Sequence, residues 1–141
     1  MEESMSKTDK LTQLYKKANT LNEDLPAQLI DKLSIYGQIL EILGGLWADA
    51  IGEWKRAESN RREVIASATV YGVELSDGQK PKTAKEKEAI AEVVGATARQ
   101  EESDAEMEAV RWKNAYNSVS EQIQIMKKRY EHLVNVSKGG I

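Results

Sequence analysis

The sequence predicts an all-α protein: a long antiparallel helical hairpin, coiled-coil-like and rod-like, with a short N-terminal helix, assembled into an oligomer. Three observations carry this. Apolar residues recur at alternating three- and four-residue spacings over two long runs. The only two prolines, Pro26 and Pro81, stand at the ends of those runs and not inside them. A second apolar row on the first run, together with the main seam, is wider than one partner helix covers.

The short helix comes first, from about Thr8 to Leu21 (residues 8–21). Leu11, Leu14, Ala18 and Leu21 form its apolar stripe, and Lys10, Lys16 and Lys17 lie off it. About four turns are marginal in isolation, so this helix is expected to dock on the others. Asn22 to Pro26 then interrupt the pattern. Asp24 is a plausible cap, and Pro26 suits a first helical turn.

The second helix is expected over about residues 26–70. Leu33, Tyr36, Leu40, Leu43, Trp47, Ala50, Trp54, Ala57, Arg61, Val64 and Ala68 keep the heptad seam. At ~1.5 Å per residue it would be roughly 65 Å long. Gly37, Gly44, Gly45 and Gly52 fall inside it, each costing about 1 kcal/mol relative to alanine. Such a cost points to close approach of another helix or a kink, and a break at Gly44-Gly45 would divide the helix in two.

Residues 71–82 read as a connector. Asp77-Gly78 is a turn signal, Pro81 stops helix continuation, and Val73 to Leu75 permit a short extended piece. Thr83 and Glu86 then form a capping-box pattern that opens a third helix over about residues 83–136. Its seam runs through Ala105, Ala109, Trp112, Tyr116, Val119, Ile123, Met126, Tyr130 and Leu133, and weakens upstream to Val94, Ala98 and Glu101. Two long helices joined by a short connector should pair antiparallel. A turn near Asp77 places Leu33 near Glu121, Leu40 near Asn114 and Trp47 near Met107, with thinner packing toward the tip. Ile35, Ile39, Ile42 and Leu46 lie beside the main seam and are the expected oligomer interface.

The whole chain of 141 residues fits one helical domain, and its 30% charged and 40% hydrophobic residues exclude a disordered chain. With no cysteine it has no disulfide, no thiolate zinc site and no cysteine nucleophile. The start, MEESMSKTDK, lacks the apolar region of a secretory signal, and the apolar-rich stretch Ile35 to Ile51 is too short and polar to span a bilayer. A cytoplasmic location (the host cytoplasm for a viral protein) and no membrane partner are expected.

The search for chemistry finds little. The sole histidine, His132, has Arg129 three residues before it where a helical di-iron site would need glutamate. No phosphate-binding loop, dinucleotide fingerprint or nucleophile elbow occurs. The acids Glu101, Glu102, Asp104, Glu106 and Glu108 spread around a helix and do not converge. No enzymatic activity, cofactor or metal is expected.

Charge says more. Between residues 55 and 87, eight cations (Lys55, Arg56, Arg61, Arg62, Lys80, Lys82, Lys85 and Lys87) face five acids. The tip is thus +3 in a chain of net charge −3. Repeated around an oligomer, it would form a multivalent surface for a phosphate backbone, read without sequence preference. The plain alternative is a set of solvated i,i+4 ion pairs along a helix.

The stretch from about Leu33 to Leu133 resembles the small phage recombination mediators of the UvsY type. The resembling features are the basic end Trp54-Lys55-Arg56-Ala57-Glu58-Ser59-Asn60-Arg61-Arg62, the exit Val70-Tyr71-Gly72, a polar loop, and the aromatic centre Arg111-Trp112-Lys113-Asn114-Ala115-Tyr116. The resemblance implies a helical homo-oligomer that binds single-stranded DNA. It also implies help in loading a recombinase onto strands covered by single-strand-binding protein. The DNA-binding stretch would fall on Lys55, Arg56, Arg61 and Arg62, with acids interleaved here. The competing class is a protein-only helical adaptor or inhibitor that grips a partner through the Ile35 to Leu46 face.

Overall fold

A computed structural model describes residues 5–71 and 83–139. They form three helices: α1 (Lys7–Asn19), α2 (Pro26–Tyr71) and α3 (Ala84–Ser137). No strand occurs among the described residues. The connector, with its Val73 to Leu75 run, lies outside them. The two long helices pack together, and α2 continues as one α-helix of 46 residues through Gly44 and Gly45. The helix break that those glycines allow does not occur.

Local signals set the ends. The Ser6 hydroxyl caps α1 by accepting from the Asp9 amide at 3.1 Å, and Lys16 and Lys17 sit in the last turn, where cations suit the helix dipole. Pro26 opens α2, as its fixed φ and missing N–H favour. The carboxylate of Asp24, expected to cap that helix, pairs with Arg129. At the start of α3 the Glu86 amide donates to the Thr83 hydroxyl at 3.1 Å, the first half of the expected capping box.

The chain divides into two compact units, with boundaries between Trp47 and Ala48 in α2 and between Val110 and Arg111 in α3. The first holds α1, the start of α2 and the end of α3. Its core joins all three: Leu11 and Ala18 of α1, Leu29, Ile35, Tyr36, Ile39 and Leu43 of α2, and Val119, Ile123 and Met126 of α3. Leu29, Ile39 and Leu43 are its most completely buried large side chains. Each contributes about 1.5–3 kcal/mol by leaving water. Tyr15 meets Tyr36 edge-on, with ring centroids 6.1 Å apart, and so ties α1 to α2. Burial raises the Tyr15 pKa above its ordinary value, with Tyr36 adding to the effect.

Polar contacts hold the α1–α2 link in place. The Asn22 amide donates to Gln28 Oε1 at 2.8 Å and the Asp24 amide to Asn22 Oδ1 at 2.9 Å. Lys32 pairs with Glu23 at 3.0 Å, and Arg129 reaches both Glu23 and Asp24.

Trp47 packs on Tyr116, with centroids 5.4 Å apart, where the expected register placed it near Met107. A Cβ on Gly44 would lie 3.4 Å from the Tyr116 ring, at ordinary van der Waals distance, so the ring rests beside this glycine. The expected register assumed a connector folded evenly about Asp77. The aromatic contact sets a different one.

The second unit is built from small residues. Its buried hydrophobic side chains among the described residues are all alanine: Ala50, Ala68, Ala91, Ala98 and Ala109. Gly95 is buried among them, against Ile65. Arg61 of α2 pairs with Glu102 of α3 and adds a polar link between the two helices.

Candidate nucleic-acid interface

The basic residues singled out in the sequence belong to the second unit, and the structure separates them by role. The side chains of Lys55, Arg56 and Arg62 are 64%, 75% and 69% exposed, while that of Arg61 is only 26% exposed. Arg61 therefore faces the partner helix, where its guanidinium Nε donates to Glu102. Its position on the heptad seam carried this signal. Its charge is spent on joining α2 to α3.

The other three pair along their own helix. Glu58 accepts both Lys55, at 3.5 Å, and Arg62, at 2.7 Å, so one acid stands between two cations seven residues apart on one face. Arg56 pairs with Glu53. The Arg56–Glu53 pair is exposed at both ends and is worth only about 0–1 kcal/mol, so a phosphate can replace its carboxylate at little cost, whereas Glu58 is only 21% exposed. Lys55 Nζ lies 5.0 Å from the centroid of the Trp54 ring. Among the described residues the buried Trp54 indole Nε1 meets no acceptor, at a cost of about 1–3 kcal/mol.

Lys85 and Lys87 stand in the first turn of α3, Lys85 exposed and Lys87 half-buried. Lys80 and Lys82 lie outside the described residues. Lys55 and Arg62 are thus brought together by Glu58.

The expected oligomer interface also divides. Ile35 and Ile39 are 5% and 0% exposed, because α1 docks over this part of α2 and puts them in the core. A buried pair presents no face to another subunit, which corrects that assignment for both residues. Ile42 and Leu46 remain half-buried at the edge of the same core.

Beside Ile42 opens a feature the sequence reading missed, a groove of about 470 Å³ between α1 and α2. Its floor includes Leu14 and Ile42, and Lys10 and Lys17 line its α1 wall. The signal was present in the lysines lying off the α1 stripe, but only the docked position of α1 turns them into a wall.

His132 is exposed. Among the described residues no cluster of three or more His, Asp or Glu could hold a metal ion, and no helix is long and apolar enough to cross a membrane. Comparison with known protein families, with curated proteins and with solved structures finds no match.

Proposed function

We propose that this protein is a non-enzymatic recombination accessory protein of the phage mediator type. It binds single-stranded DNA through exposed cations of α2 and helps to load a recombinase, in contact with that recombinase or with single-strand-binding protein. The observation that carries this reading is the set of exposed side chains of Lys55, Arg56 and Arg62, whose acid partners lie on their own helix and leave the cations open to a phosphate. The sequence resemblance to UvsY-type mediators points the same way. Arg61 drops out of the DNA-binding set, because its partner is Glu102 of the other long helix.

The architecture proposed with it is an antiparallel hairpin that assembles into a homo-oligomer. Residue order within the second unit supports the antiparallel sense. Arg61 meets Glu102 and Ile65 meets Gly95, so numbers rise on α2 as they fall on α3. Oligomers would multiply a weak basic site into useful avidity.

The test is fluorescence anisotropy of labelled oligo-dT at low and moderate salt, on the wild type and on the triple variant Lys55→Ala, Arg56→Ala, Arg62→Ala. Binding at low salt that weakens with added salt and falls in the variant is expected. Undetectable wild-type binding at low salt rejects the DNA reading. The second reading, a protein-only adaptor, is favoured by half-buried Ile42, which lines the α1–α2 groove, and half-buried Leu46 at the edge of the same core.

A further inference from the structure

The α1–α2 groove and the outer side of α3 around Met107 have complementary chemistry. Lys10, Leu14 and Lys17 recur on α1 at spacings of four and three, so they share one face. Ile42 completes the apolar floor from α2. Leu14 and Ile42 are half-buried, so the floor is open to a further side chain. Helix α1 as a whole carries four lysines against the single acid Asp9. Lys10 and Lys17 are both exposed. The one acid of the groove, Glu41, sits on the α2 wall and directs an incoming acidic group toward α1.

The same chain carries the matching helix. Between residues 100 and 110, α3 has five acids and no base. Within it Met107 is 63% and Val110 47% exposed. Asp104 stands one turn before Met107 and Glu106 one turn before Val110, so acids flank two exposed apolar side chains. This is the pattern of a helix that docks in an apolar groove with a basic wall.

We infer that the groove of one copy receives the Met107 side of α3 from a second copy, Met107 and Val110 resting on Leu14 and Ile42, and Asp104 and Glu106 facing Lys10 and Lys17. The contact joins unlike surfaces, so it forms twice in a reciprocal two-fold pair or repeats head to tail as a ring or a filament. It deepens the proposed homo-oligomer and rests on it.

Sedimentation velocity of the full chain across a concentration and salt series tests this. Self-association that weakens with salt is expected. Lys10→Glu with Lys17→Glu should weaken it about tenfold or more, and so should Asp104→Lys with Glu106→Lys, because each places like charges opposite one another. An equimolar mixture of the two double variants should recover assembly, since every contact in it again joins opposite charges. All four positions are exposed. Far-UV circular dichroism and an unchanged unfolding midpoint verify the fold of each variant. A wild type that stays monomeric overturns both this contact and the proposed oligomer. A wild-type oligomer indifferent to both variants, or a mixture no better than its components, overturns this contact alone.

Discussion

Gly95 of α3 lies so close to Ile65 of α2 that a Cβ on Gly95 would stand 2.6 Å from Ile65 Cγ1 and 3.0 Å from Cδ1. No side chain fits there without displacing a branched neighbour near its own backbone. Gly95→Ala should therefore destabilise the protein by about 1–3 kcal/mol, despite the better helix propensity of alanine. Gly37 offers the control, because a Cβ there meets nothing within 4 Å. Gly37→Ala should stabilise by about 0.5–1 kcal/mol. Urea unfolding of the two variants measures both signs.

The unequal cores of the two units predict unequal protection. One buries Leu29, Ile39 and Leu43, while the other buries only alanines among its described hydrophobic side chains. Less apolar area leaves water per residue in the second unit. Hydrogen–deuterium exchange should be faster over residues 48–70 and 84–110 than over residues 29–43 and 115–130. Uniform protection along both helices would count against this difference.

Core truncation should follow burial. Ile39 is 0% exposed, and Ile39→Ala should cost about 2–5 kcal/mol. Ile125 is 65% exposed, and Ile125→Ala should stay within about 0.5 kcal/mol of the wild type. Thermal unfolding of both variants checks the contrast. A mild Ile39→Ala would remove it from the core.

Arg61 and Arg56 should behave differently although both are paired arginines. Arg61→Ala leaves Glu102 without its partner in a setting where that side chain is only 20% exposed, and should cost about 1–2 kcal/mol. Arg56→Ala breaks an exposed i,i+3 pair and should change stability by about 0.5 kcal/mol or less. A double-mutant cycle of Arg61 with Glu102 should give a clear coupling energy, and one of Arg56 with Glu53 a small one.

Tyr15 predicts an alkaline loss of stability. Its folded pKa lies above the unfolded value near 10, so at high pH the folded state holds a proton that the unfolded state releases. The contribution is fully present below pH 10 and is lost as pH rises from there through the folded pKa. Wild type should lose more stability between pH 9 and pH 11 than Tyr15→Phe. Equal losses would show that Tyr15 does not titrate with unfolding.

The helices were legible in the sequence because their causes are local. The three- and four-residue spacings, Pro26 and the Thr83–Glu86 pattern delimit α2 and α3 to within a residue or so. Register was less legible. It depends on where Trp47 meets Tyr116, a contact across many residues of chain. Covering was less legible still. Ile35 and Ile39 looked like a surplus face until α1 docked over them. In the candidate site, charge located the basic stretch. Only the partner of each cation distinguished Arg61, which joins two helices, from Lys55, Arg56 and Arg62, which face outward.

The most direct test of the proposed role is the salt dependence of oligo-dT affinity. A phosphate contact on a single strand contributes about 0.7 to the slope of log affinity against log salt concentration. Replacing Lys55, Arg56 and Arg62 by alanine should make that slope shallower by about 2 for each engaged subunit. A wild type that does not bind at low salt, or a triple variant with an unchanged slope, would contradict DNA binding through this surface.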